Sequence, residues 1–301
     1  MLNPDIAALM GEPQSMPALT AATIQAMREG MAAAGGALPG VDMAEVRDFD
    51  ADGVPVRLYR PTMEAPLPLL VFLHGGGWLF GDLQTHDAMH RILAKRSGCA
   101  VLAVGYRLAP EYPYPAAIDD CATAFAWARR HAAVLGCQRS SIALGGESAG
   151  GNLAAALTLR LREAGQDQPE FQLLIHPVTD LALSFPAMDE VQVPGLSRDY
   201  LQGVRELYVG QADFRNAAIS PLRASRHDGL AQAIVLTASE DPLRDDGEAY
   251  AAALARAGVE VLGCRLPGLP HGFMFLPATI PAVSHSFDLI ARLVRRYFDQ
   301  G

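Results

Sequence analysis

Three residues in one order could carry nucleophilic catalysis: Ser148, inside Gly146-Glu147-Ser148-Ala149-Gly150, then Asp241, then His271. A serine hydroxyl is a poor nucleophile near neutral pH. Ser148 therefore needs a base within hydrogen-bond reach, and that base needs a carboxylate to hold its tautomer. The chemistry would be acyl transfer through a covalent intermediate. His271 is the base, because the other histidine after the acid, His285, falls inside a helical segment that turns it away from the strand ends. Asp241 is taken over Glu240, Asp245 and Asp246, since it stands nearest a strand end with Pro242 holding the turn. Gly75-Gly76-Gly77 offers amides unobstructed by side chains, and Gly76 and Gly77, with Ala149, are assigned to a developing oxyanion, Gly75 being the substitute. His74 precedes the acid and is read as fixing this loop, while Trp78 and Phe80 are placed on the substrate pocket beside it. No Lys-Ser/Thr or G-x-G-x-x-G pattern follows, which disfavours a phosphate loop.

These groups must be brought together by the ends of strands. Ser141-Ile142-Ala143-Leu144 leads into the serine segment and a helical stretch follows from Asn152, so Ser148 sits on a sharp strand-to-helix turn that needs glycine on both sides. The unbroken apolar run Leu69 to Leu73 enters the glycine loop, as a strand covered on both faces would. Strand Ala233 to Ala238 delivers Asp241, and strand Glu260 to Leu266 delivers His271. Val46 to Phe49 and Val54 to Tyr59 make a hairpin at Asp52-Gly53. Further strands are expected at 100–106 and 171–175, and helices at 85–96, 116–135, 245–257 and 282–298. Strands alternating with helices predict a mostly parallel, doubly wound α/β sheet.

Two regions depart from the alternation. Residues 1–45 are rich in alanine and methionine at helical spacing until Gly35-Gly36-Ala37-Leu38-Pro39-Gly40 breaks the pattern, and an adaptable methionine-rich helix suits the covering of an apolar pocket. Residues 183–215 carry Pro186, Pro194 and Gly195 with one helical patch at 197–209. The two are expected to pack together as a cap over a core of residues 46–182 and 216–301.

Half of the 301 residues are apolar, enough for a substantial core, and the net charge is −9 without a basic block. That excludes the electrostatic footprint of a nucleic-acid or anionic-membrane binder and favours a small-molecule partner. The first twenty residues lack a basic stretch followed by an apolar core, and nowhere do eighteen apolar residues run together, so integral membrane association is not expected and a cytoplasmic protein is. Cys99, Cys121, Cys137 and Cys264 lack C-x-x-C spacing and read as free thiols. His86 and His90 stand four apart without a third ligand nearby, so they read as two helix positions and no metal is expected.

The combination His74-Gly75-Gly76-Gly77-Trp78, Gly81-Asp82, His86-Asp87, Tyr106 to Glu111, Gly146 to Leu153, Asp241-Pro242-Leu243 and His271-Gly272-Phe273 resembles the hormone-sensitive-lipase-like carboxylesterases, bacterial family IV of the α/β hydrolases. The resemblance covers essentially the whole chain. It implies an α/β-hydrolase fold with a helical cap and hydrolysis of short- to medium-chain acyl esters by a Ser-His-Asp triad without a cofactor. It also implies an edge, from Glu260 onward, suited to a homodimer. Glu147 stands where one subfamily has aspartate and another threonine, and Gly145 replaces a small serine or alanine; neither removes a catalytic group, but subfamily and substrate preference stay open. An amidase, arylformamidase, thioesterase or lactonase would share the triad. A receptor that keeps the scaffold without turnover is the reading from another class.

Overall fold

The computed structural model describes residues 1–10, 16–37, 40–64, 66–193 and 195–300. Asp52 and Gly53 both adopt positive φ, 56° and 93°, the geometry a two-residue hairpin turn requires, and they join β1 (Glu45–Ala51) to β2 (Val54–Arg60). The apolar run expected as a covered strand is β3 (Leu67–Leu73), whose residues from Leu69 to Leu73 are fully buried. With β4 (Ala100–Val104), β5 (Cys137–Glu147), β6 (Phe171–Ile175), β7 (Gln232–Glu240) and β8 (Val261–Pro270) it forms one eight-stranded sheet in the order β1-β2-β4-β3-β5-β6-β7-β8. β2 is antiparallel to both neighbours, and from β4 onward all pairs are parallel.

That order reverses at β3, the place where an open α/β sheet leaves a crevice at the carboxyl ends of its strands. Leu73 pairs with Gly146 across β3 and β5, so the glycine loop and the serine turn emerge side by side. Glu240 pairs with Pro270 across β7 and β8, so the next residues, Asp241 and His271, do the same. Register alone thus gathers the four chemical segments on one edge.

Both faces of the sheet are covered. The core on one side includes residues of α4 (Ala116–His131), α5 (Ala149–Glu163) and α8 (Arg244–Arg256), and the core on the other includes residues of α3 (Asp87–Ser97) and α9 (Pro281–Phe298). The expected helix over 116–135 stops at His131, and residues 132–136 turn before β5.

The N-terminal region holds α1 (Pro4–Met10) and α2 (Ala21–Ala37). α1 packs on the core beside α9. Ile6 is fully buried among the residues packed with α9, and the Asn3 amide donates to Gly268 O at 2.9 Å, because this is where the apolar side of the short helix finds cover. The break expected at Gly35-Gly36 gives way, since α2 continues to Ala37. A Cβ on Gly35 would lie 2.7 Å from Thr85 Cα, so this glycine serves close approach between helix and loop. Leu38, Pro39 and Pro194 lie outside the described residues. The 183–215 region contains α6 (Ala187–Glu190), which the sequence pattern did not reveal, and α7 (Arg198–Val209), capped by the Ser197 side chain.

Candidate active site

Ser148 occupies φ 54°, ψ −119°, a conformation that costs a non-glycine residue on the order of 1–3 kcal/mol and is held here from both sides. Its amide donates to Ile175 O at 2.9 Å, and its carbonyl accepts from Asn152 N at 3.0 Å. The flanking glycines are steric necessities: a Cβ on Gly150 would stand 1.9 Å from Leu73 O, and one on Gly146 2.3 Å from Gly150 O.

The structure brings the three sequence-assigned groups into one line. His271 Nε2 lies 2.8 Å from Ser148 Oγ, and His271 Nδ1 lies 2.8 Å from Asp241 Oδ2. Asp241 is fully buried, and its other oxygen accepts from Leu243 N at 2.8 Å, which fixes the carboxylate in the ring plane's reach. Burial alone would lower the His271 pKa, but the charge and hydrogen bond of Asp241, with smaller contributions from Glu147 and Asp246, give a net upward shift. His285 lies within α9, outside this line.

The amides of Gly76, Gly77 and Ala149 donate no hydrogen bond among the described residues. Gly76 and Gly77 have φ 103° and 61°, and Ala149 opens α5, where the helix dipole favours negative charge. Gly75 differs: its amide donates to Glu147 Oε1 and is not free for a substrate oxygen. His74 is stacked on Tyr106 at 4.1 Å with Nδ1 2.8 Å from Gly75 O, while the Tyr106 hydroxyl donates to His74 O. Burial pushes the His74 pKa down to about 3, so its ring is a neutral prop.

A cavity of about 310 Å³ opens on Ser148 and His271. Trp78 and Phe80 line it beside the glycine loop, Met27 and Met31 reach it from α2, and Tyr200 and Val204 from α7. Trp78 also stacks on Tyr208 of α7 at 4.1 Å. Arg28 of α2 donates to Leu79 O and Ala109 O, both at 2.8 Å, and makes a two-fold contact with Glu111. This contact gives the Tyr106 to Glu111 stretch a structural role; Arg28 was not singled out in the sequence, since its partners lie 51 to 83 residues away.

His176, Asp241 and His271 bring donor atoms within 4.8 Å of one another, but the Asp241 and His271 atoms are engaged in the line to Ser148. His86 and His90 are buried in the fold, His90 between Tyr59 and Phe72. All four cysteines are free. No helix among the described residues is long and apolar enough to cross a membrane.

A family profile described as the alpha/beta hydrolase fold matches residues 70–275. The carboxylesterase NlhH of Mycobacterium tuberculosis is 40% identical over 251 residues, which cover 80% of this chain and 79% of that protein. An arylesterase of Saccharolobus solfataricus is 39% identical over 252 residues, 81% of each. Among solved structures, an alpha/beta hydrolase enzyme from the metagenome of Lake Arreo, Spain, superposes with a TM-score of 0.88 at 36% identity, covering 99% of both chains.

Proposed function

The chain belongs to the α/β-hydrolase-fold family, in its hormone-sensitive-lipase-like branch, and is a carboxylic ester hydrolase; we propose that it works through Ser148, His271 and Asp241 on short- to medium-chain acyl esters. The observation that carries this reading is the continuous 2.8 Å line from Asp241 through His271 to Ser148 at the floor of an apolar cavity. A volume of about 310 Å³ is near the lower end of ligand pockets, which run from roughly 300 to 1,000 Å³, and suits a short acyl chain.

His271 Nε2 takes the proton as Ser148 Oγ attacks the ester carbonyl. Asp241 holds the ring through Nδ1–H and stabilises the imidazolium that forms. Charge on the carbonyl oxygen is met by the amides of Gly76, Gly77 and Ala149, each donor of this kind being worth about 3 kcal/mol. His271 then gives its proton to the departing alcohol, and water repeats the sequence to free the acid. The raised His271 pKa suits both halves, since the ring must accept and return a proton near neutral pH.

In this reading α2 and residues 183–215 act as the cap, with Met27 and Met31 as its adaptable contacts. The enzyme works in the cytoplasm, in keeping with four free cysteines, and a second copy would pair along the outer edge of β8. A diethyl p-nitrophenyl phosphate titration tests the nucleophile. One equivalent of p-nitrophenol with the adduct on Ser148, and none in Ser148→Ala, is expected. Folded wild-type protein that releases no burst and resists labelling would refute the assignment.

A further inference from the structure

Glu147 stands immediately before the nucleophile, is 1% exposed, and points away from solvent into the back of the glycine loop. Its Oε1 accepts the Gly75 amide, which is therefore not free for a substrate oxygen. Two buried imidazoles flank it. His86 Nε2 lies 3.4 Å from Oε1 and His176 Nε2 lies 3.9 Å from Oε2. Neither nitrogen has another partner among the described residues.

A chain of contacts runs behind the loop. Thr85 Oγ1 accepts from Asp82 N at 2.8 Å, donates to Asp82 O at 3.0 Å and lies 2.8 Å from His86 Nδ1, which turns His86 Nε2 toward the carboxylate. The Gly81-Asp82 and His86-Asp87 segments noted in the sequence thereby gain a purpose that the triad does not give them. They hold Glu147, and Glu147 holds Gly75.

Across the carboxylate, His176 packs with its ring centroid 4.4 Å from that of His271. Its own backbone is fixed at φ 34°, with its amide donating to Leu236 O at 2.6 Å. Glu147 thus lies behind both halves of the machinery, the oxyanion loop and the base.

We propose that Glu147 is a second carboxylate of the catalytic centre, a positioning residue that pins the oxyanion loop through Gly75 and backs His271 across His176. The inference rests on the esterase reading of the same site. The titratable groups around Glu147 are His74, His86 and His176, with His90 behind His86, and burial holds His74, His90 and His176 neutral. His271 is bonded to Asp241 and packs on His176. Burial lowers its pKa, Asp241 raises it most, and Glu147 and Asp246 add in the same direction. Replacing the Glu147 carboxylate by an amide therefore makes His271 easier to deprotonate.

Two variants separate the clamp from the carboxylate. Glu147→Gln keeps an acceptor for Gly75 and loses the carboxylate; Glu147→Leu loses both. For Glu147→Gln the acid limb of kcat/KM on p-nitrophenyl butyrate moves to lower pH. For Glu147→Leu kcat falls on the order of a hundredfold, as when an oxyanion donor is lost, with KM within about twofold of wild type. An acid limb unmoved in Glu147→Gln, or kcat retained in Glu147→Leu with only the melting temperature lowered, overturns the proposal. If Glu147→Leu does not fold, the pH profile of Glu147→Gln decides. Wild-type protein that turns over no ester defeats the parent reading instead, so the two failures are distinct.

Discussion

At His271 opposing influences meet: burial disfavours the imidazolium, and the carboxylates around it, Asp241 at 2.8 Å foremost, together favour it so that the net shift is upward. The sign of the consequence follows directly. A base must be unprotonated in the free enzyme, so kcat/KM falls as pH drops through a midpoint above 6.5, the ordinary histidine value. Asp241→Asn removes the support, moves that limb to lower pH and lowers kcat on the order of 10⁴-fold; a stopped-flow or plate-reader pH series on both proteins checks it. Ser148, Asp241 and His271 were legible in the sequence because each follows an apolar strand and their order along the chain suits the chemistry. Glu147 was noted as a departure from a motif, but its partners were not legible. Gly75 lies 72 residues before it, and no local pattern announces a contact made by sheet register.

Among the elements, the turn from β5 into α5 leaves no room for a side chain on its helical side. Gly150→Ala would place a methyl group 1.9 Å from a backbone oxygen, and the cost is expected to exceed the roughly 1–3 kcal/mol of ordinary overpacking, with activity lost alongside; urea unfolding and ester turnover measure the two. The N-terminal helices cover different surfaces, α1 the core beside α9 and α2 the cavity. Ile6→Ala in α1 is expected to cost about 2–5 kcal/mol of stability and leave acyl-chain preference unchanged, because Ile6 is buried in the core beside α9. Met31→Phe in α2 is expected to do the reverse, shifting the optimum to a shorter chain by filling the cavity with little change in unfolding free energy. Most strands could be placed from their apolar runs, since a strand covered on both faces shows little alternation. The surfaces that α1 and α2 cover could not, because only tertiary packing says where each helix lies. Gly35 misled for a related reason: it is a packing residue inside a helix, which local propensity reads as a break.

For the molecule as a whole, one topological fact carries the function. Strand order reverses at β3, and the registers Leu73 with Gly146 and Glu240 with Pro270 place the glycine loop, Ser148, Asp241 and His271 along one edge beneath α2 and α7. The central claim is that this edge is a serine esterase with a pocket for short chains. Initial rates on p-nitrophenyl esters from acetate to palmitate, with Ser148→Ala run beside the wild type, test it most directly. The account predicts a rate that peaks at a short acyl chain and falls by at least about 10⁴-fold in Ser148→Ala. Folded protein that hydrolyses none of the esters, or a variant that hydrolyses them as fast as wild type, would contradict it.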